Sequence, residues 1–211
     1  MEIRYSISPS EAKTFDTASM RENFLINSLF VPGELKTVYS HVDRIIVGGI
    51  CPKDQALKLE AGKEMGVDFF LERRELGAIN VGGKGIVTVD GTKHELEFKE
   101  GIYIGAGTKE VSFESVDANT PAKFYVNSAT AHKSYPTVKV TAENAKQLHL
   151  GTMEESNKRT IFQFIHPDVL ESCQLCMGMT LLEPGCVWNT MPCHTHARRM
   201  EVYFYFEMNQ D

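Results

Sequence analysis

The chain lacks any run of eighteen apolar residues, so no segment reads as a membrane-spanning helix. Its first residues lack a basic region followed by an apolar stretch, which leaves no secretory signal to recognise. It also lacks a basic stripe. Lys and Arg number 22 against 28 Asp and Glu, a formal net charge of −6, which argues against nucleic acid or an anionic membrane surface as partner. Cysteine is scarce and odd in number, at five, which suits reduced thiols rather than a disulfide framework. A cytoplasmic location is therefore expected. Tryptophan occurs once, at Trp188, immediately upstream of the most informative stretch.

What is present is a succession of short β signals in 211 residues, enough for one large domain or two modest ones. Residues 1–35 read as a mixed arm with one or two helical turns between Glu11 and Phe30, packing on the domain or on a neighbouring subunit. From Lys36 the spacing predicts strands over Thr37–His41, Arg44–Val47 (ending at Gly48-Gly49), Asp68–Arg73 and Ala78–Val81. Ile86–Val89 and Thr92–Phe98 flank Asp90-Gly91, a two-residue turn that favours positive φ and so marks a hairpin. Ile102–Ile104, Val111–Val116 and Ala122–Asn127 follow. Strands this close, with turn residues between, predict an all-β jelly-roll barrel. Glu72-Arg73-Arg74-Glu75 reads as a solvated or interfacial charge cluster. His41, His94 and His132 read as ordinary histidines.

Tyr135-Pro136 marks a boundary. Thr141–Leu148 reads as a short helix capped by Thr141. Strands resume at Thr160–Ile165 and Cys173–Leu182, so Cys173 and Cys176 should be two separately buried thiols on opposite faces. The simplest plan has an arm over 1–35, a first barrel over 36–135, a linker over 136–150 and the start of a second barrel over 151–211. An apolar strand so near Asp211 would leave a bare edge, which predicts either more chain beyond it or cover from another subunit.

The chemistry concentrates in Trp188-Asn-Thr-Met-Pro-Cys-His-Thr-His-Ala-Arg-Arg-Met-Glu-Val-Tyr-Phe-Tyr-Phe. On a strand, His194 and His196 share a face, since side chains alternate. Glu201 is at an odd offset from both, so a bulge or turn within Ala197–Met200 is required for the three to converge. Two imidazoles and a carboxylate suit Zn, Mn, Fe or Ni and leave coordination positions open. Beyond the break, Val202, Phe204 and Phe206 alternate with Glu201, Tyr203 and Tyr205, which predicts a strand. Arg198 and Arg199 are candidates for pairing with a substrate carboxylate, with a solvated role the alternative. Tyr203 and Tyr205 share a face with Glu201, which alone makes them candidates for a general base, and Tyr203 joins Arg198 and Arg199 as a candidate substrate-binding residue.

This stretch, together with Tyr39-Ser-His-Val-Asp-Arg-Ile-Ile-Val-Gly-Gly, Phe70-Leu-Glu-Arg-Arg-Glu-Leu-Gly, Thr88-Val-Asp-Gly and Thr120-Pro-Ala-Lys-Phe-Tyr, resembles the 5-keto-4-deoxyuronate isomerase (4-deoxy-L-threo-5-hexosulose-uronate ketol-isomerase) family of pectin breakdown. The resemblance runs from the N-terminus to Phe206. It implies two cupin barrels in tandem, the first without a metal and the second holding one Zn2+ ion, in a homohexamer. It implies His194, His196 and Glu201 as ligands. A fourth histidine is expected downstream of Asp211, which leaves the second barrel incomplete here. The implied reaction converts 5-dehydro-4-deoxy-D-glucuronate to 3-deoxy-D-glycero-2,5-hexodiulosonate, an aldose–ketose type isomerisation through an enediolate. Two alternatives stay open: a non-haem iron cupin oxygenase, which uses a similar ligand set, and a catalytically incomplete bicupin acting as a binding or assembly module. The sequence does not identify the general base.

Overall fold

The computed structural model describes residues 1–187, 196–197 and 199–208. The chain forms β1 (Glu2–Arg4), α1 (Pro9–Ala12), α2 (Thr17–Phe24), β2 (Glu34–Ser40), β3 (Ile46–Cys51), β4 (Leu57–Lys58), a single 3-10 turn (Lys63–Met65), β5 (Arg74–Asn80), β6 (Gly85–Val89), β7 (Thr92–Leu96), β8 (Gly101–Ile104), β9 (Val111–Ser115), β10 (Phe124–Thr130), β11 (Val138–Val140), β12 (Lys146–Leu150), β13 (Arg159–Ile165) and β14 (Met177–Leu182). Among the described residues, no helix is long and apolar enough to cross a membrane.

Eleven of these strands form two facing sheets, and the eight from β3 to β10 make the jelly roll that the spacing predicts. One sheet runs β1-β2-β3-β10-β5-β8-β11 and the other runs β4-β9-β6-β7. Apart from the parallel β1–β2 pair, neighbouring strands are antiparallel. From β3 to β10 the chain alternates between the two sheets, save for the β6–β7 hairpin. That hairpin turns at Asp90 and Gly91, whose φ values are 44° and 84°. The inward residues of both sheets, among them Ile50, Leu76, Val87, Leu96, Ile104, Phe113 and Phe124, close into one core.

The larger sheet is buried on its outer face too. Val47, Ile79, Tyr103, Tyr125 and Ala129 point away from the jelly-roll core and pack against Phe164, Ile165, Leu175, Met177 and Met179. These belong to or flank the third sheet, β12-β13-β14. Two-sided cover explains why β3, β5 and β8 are buried along their whole length.

Several local expectations give way to this packing. Gly48 and Gly49 do not end a strand. They lie inside β3, because the arm crosses there and a Cβ on Gly49 would stand 2.3 Å from the Leu29 carbonyl oxygen. Gly49→Val is expected to lower stability by about 1–3 kcal/mol through overpacking, measured as a reduced denaturation midpoint. Asp68–Arg73 is a turn, which delivers Phe70 and Leu71 into the core before β5 starts at Arg74. Thr141–Leu148 makes one closed turn, with the Ala145 amide donating to the Thr141 carbonyl at 2.9 Å. It then becomes β12, because Lys146–Leu150 pair with β13 and tertiary pairing outweighs a local cap.

Glu72-Arg73-Arg74-Glu75 is only half a surface cluster. Arg74 is 6% exposed and Glu75 0%. The Arg74 guanidinium donates to the Arg44 and Ser128 carbonyls at 2.5 and 2.6 Å and to Ser128 Oγ at 3.1 Å, and stands 5.6 Å from the Tyr39 ring centroid. Burial pulls its pKa down to about 10, still high enough to leave it charged near neutrality. The expected strand over Cys173–Leu182 begins only at Met177. Cys173 is half-buried and Cys176 exposed, so they are not two buried thiols. The reason is that the Cys173, Gln174 and Leu175 amides bond to Glu75, not to a neighbouring strand.

Candidate active site

The segment 201–206 lies along the outer face of the large sheet. Val202, Phe204 and Phe206 turn inward and pack against its apolar cluster, while Glu201, Tyr203 and Tyr205 are exposed. The Phe204 ring stacks on Tyr125 at 4.7 Å and on Phe206 at 5.8 Å, and meets Phe30 edge-on at 5.7 Å. The period-2 pattern therefore holds, but 201–206 forms no strand as the alternation predicts. Aromatic stacking on the sheet below holds it extended without ladder pairing to a described neighbour.

The alternation sets Glu201 and Tyr203 side by side, with the Tyr203 hydroxyl donating to Glu201 Oε2 at 2.8 Å. His196 Nε2 lies 2.8 Å from Glu201 Oε1, across a bend at Ala197. Arg199 donates to the same Oε1 at 2.9 Å and stands 3.3 Å from His196 Nε2. The hydrogen bond from Tyr203, with the positive field of His196 and Arg199, holds the Glu201 carboxyl below its ordinary value. The same bond, with burial, lifts the Tyr203 phenol.

Four of the six residues singled out by sequence thus meet: His196, Arg199, Glu201 and Tyr203. His194 and Arg198 lie outside the described residues, as do Trp188 and Cys193. An imidazole nitrogen and a carboxylate oxygen are ligand types that a borderline divalent ion takes, but among the described residues no group of three His, Cys, Asp or Glu side chains converges to hold one. The Arg199 guanidinium already meets this carboxylate, within hydrogen-bond range of Oε1 and close to Nε2.

Beside this cluster is a cavity of about 300 Å³ between the 202–206 segment, β13, β14 and the large sheet. Its polar lining comes from Arg159, Thr180, Tyr203 and Tyr205, and its apolar floor includes Ile79 and Tyr125. Arg159 is held through Nη1 on the Asn157 carbonyl at 2.9 Å. Burial pushes the Tyr125 phenol up to about 12, with the Asn127 side chain opposing the shift. A pocket of this size, with few polar groups on apolar walls, falls at the small end of ligand sites, which run from about 300 to 1,000 Å³. Sequence reasoning did not find Ile79, Tyr125 or Arg159. Tyr125 closes the Thr120-Pro-Ala-Lys-Phe-Tyr motif, but nothing local reveals that its ring floors a cavity built partly by residues eighty positions later.

Residues 25–211 match the KduI/IolB family model. The chain is 58% identical, over all its residues and 76% of the relative's length, to 4-deoxy-L-threo-5-hexosulose-uronate ketol-isomerase of Lachnoclostridium phytofermentans. It is 54% identical to the protein of that name from Caldicellulosiruptor bescii, again over the full chain and 76% of the relative. With the Escherichia coli (strain SMS-3-5 / SECEC) protein of that name the identity is 55%, covering 77% of it. Among solved structures, an IolB-like protein from Salmonella typhimurium superposes with a TM-score of 0.46 at 16% identity, over 61% of this chain and 46% of that one. Matched by the family model over most of its length and by these relatives from end to end, the chain belongs to the KduI/IolB family.

Proposed function

We propose that the chain is an intramolecular oxidoreductase, a 4-deoxy-L-threo-5-hexosulose-uronate ketol-isomerase of uronate and pectin breakdown. It converts 5-dehydro-4-deoxy-D-glucuronate to 3-deoxy-D-glycero-2,5-hexodiulosonate. The observation that carries this reading is the meeting of His196 and Glu201 at 2.8 Å in a chain 58% identical to a protein of that name.

The reaction moves a carbonyl from C1 to C2. A proton leaves C2, an enediolate forms, and a proton returns to C1, with no net oxidation. His194, His196 and Glu201 would hold a divalent ion, which the family resemblance implies is zinc. Such an ion would polarise the carbonyl and stabilise the developing oxyanion, an effect worth several kcal/mol. Arg198 and Arg199 are assigned to the substrate carboxylate, and Tyr203 orients Glu201 through its hydroxyl. The division into arm, first barrel, linker and second barrel, the homohexamer and the cytoplasmic location belong to the same reading.

The test is to add zinc and the deoxyuronate in D2O and follow the C1 aldehyde by NMR. Its loss, with deuterium appearing in the product hydroxymethyl group, is the expected result. An unchanged aldehyde with metal bound defeats the proposal, and bound iron with oxygen consumption favours the oxygenase. Tyr203→Phe is expected to reduce kcat/KM about tenfold, the lower end for losing a partner that orients a ligand.

A further inference from the structure

The outer face of β5 carries three residues in alternation, Glu75, Gly77 and Ile79, and each meets the part of the chain that builds the candidate site. Glu75 is fully buried. Its Oε1 accepts from the Gln174 and Leu175 amides, both at 2.7 Å. Its Oε2 accepts from the Cys173 amide at 2.7 Å and from the Tyr103 hydroxyl at 2.8 Å. Burial first, then this hydrogen bond, raises the Tyr103 phenol well above its ordinary value, so it stays a donor.

Two residues along, Gly77 leaves a hole. A Cβ there would lie 2.4 Å from Ile165 Cδ1, 2.9 Å from Met177 Sδ and 3.2 Å from Leu175 Cδ2. The end of β13 and the start of β14 therefore sit directly on the β5 backbone. Two residues further, Ile79 floors the cavity whose other walls include Gly178, Met179 and Thr180 of β14 and Tyr203. The loop is tied at its rim as well, with Cys173 Sγ on the Lys133 carbonyl and Gln174 Nε2 on Thr130 Oγ1, each at 3.3 Å.

We infer that Glu75 is a positioning residue: its carboxylate clamps the 173–175 loop and so fixes where β14, the cavity wall beside Tyr203, sits on the jelly roll. The metal-free first barrel thereby sets the geometry of a site built by the second. A carboxylate is required because it alone offers two oxygens able to accept four hydrogen bonds in this arrangement. The kinetic part of this inference rests on the proposed isomerase reading. The structural part does not.

The experiment uses the full chain, loaded with zinc, and compares Glu75→Gln with Val87→Ala, a core truncation inside the jelly roll far from the loop. Glu75→Gln is expected to raise hydrogen exchange at the 173–175 amides at least tenfold while the β6 and β9 amides keep their protection. It should also lower kcat about tenfold at a temperature where both variants are folded. Val87→Ala should lower the melting temperature without changing kcat. If Glu75→Gln fails to fold, Tyr103→Phe, which removes one of the four bonds, should show the same local exchange at smaller amplitude. Unchanged exchange at 173–175 overturns the clamp. Increased exchange with wild-type kcat and KM overturns the positioning role. A wild-type chain inert toward the deoxyuronate defeats the isomerase reading instead, and the exchange data still decide whether the clamp exists.

Discussion

His196→Ala is expected to lower kcat/KM on the deoxyuronate by about a thousandfold or more and to strip zinc from the purified protein. His196 Nε2 and Glu201 Oε1 face each other at 2.8 Å, so removing the imidazole deletes half of the described donor pair. An ion that polarises the reacting carbonyl contributes several kcal/mol, and each 1.36 kcal/mol is about tenfold in rate. Elemental analysis beside steady-state kinetics checks it. Zinc content and rate both at wild-type level would remove His196 from the ligand set. Glu201→Gln tests the same geometry more gently, since the amide keeps one acceptor for Tyr203 but loses the charge that Arg199 and His196 meet.

Phe124→Ala is expected to destabilise the fold by about 3–5 kcal/mol, a large share of the total for any domain. The ring is fully buried between the two sheets of the jelly roll and stands 5.0 Å from Phe113 across them. Truncation loses the apolar area, leaves a cavity and ends an aromatic pair worth about 0.5–1.5 kcal/mol. Denaturant unfolding should show a lower midpoint with an unchanged slope. A loss below about 1 kcal/mol would mean the two sheets collapse into the gap, and would contradict a close-packed core.

These two effects come from parts of the chain that were unequally readable. Phe124 belongs to a strand whose signal is local: alternation, flanking turn residues and aromatic content. The same holds for the hairpin at Asp90-Gly91, where two residues select the turn and the turn sets the register. Strands marked in this way need only their own neighbours to be found. Glu75 carries no such mark. As one of four consecutive charges it reads as surface, and its burial depends on three amides about a hundred residues later. Those amides in turn do not join a strand, which is why the β signal over Cys173–Cys176 misleads. Thr141–Leu148 fails for a related reason, a good local cap overruled by pairing with β13.

At the candidate site the division is similar. The His-x-His spacing, the odd offset of Glu201 and the alternation through Phe206 were enough to call for a break near Ala197, and His196 and Glu201 do meet across a bend there. The cavity was invisible, because Ile79, Tyr125, Arg159 and Thr180 come from four strands in two sheets.

The sequence by itself determined the all-β class, the jelly-roll kind of barrel signalled by its closely spaced turns, and the alternation that sets Glu201 beside Tyr203. Those rest on interactions between residues close in the chain. Only the tertiary structure decided that a charged run becomes a buried clamp and that the outer face of one barrel becomes the floor of a cavity beside the candidate site. Both depend on which surfaces are brought out of water together, and burial changes what a carboxylate or a glycine does without changing the residues around it in sequence.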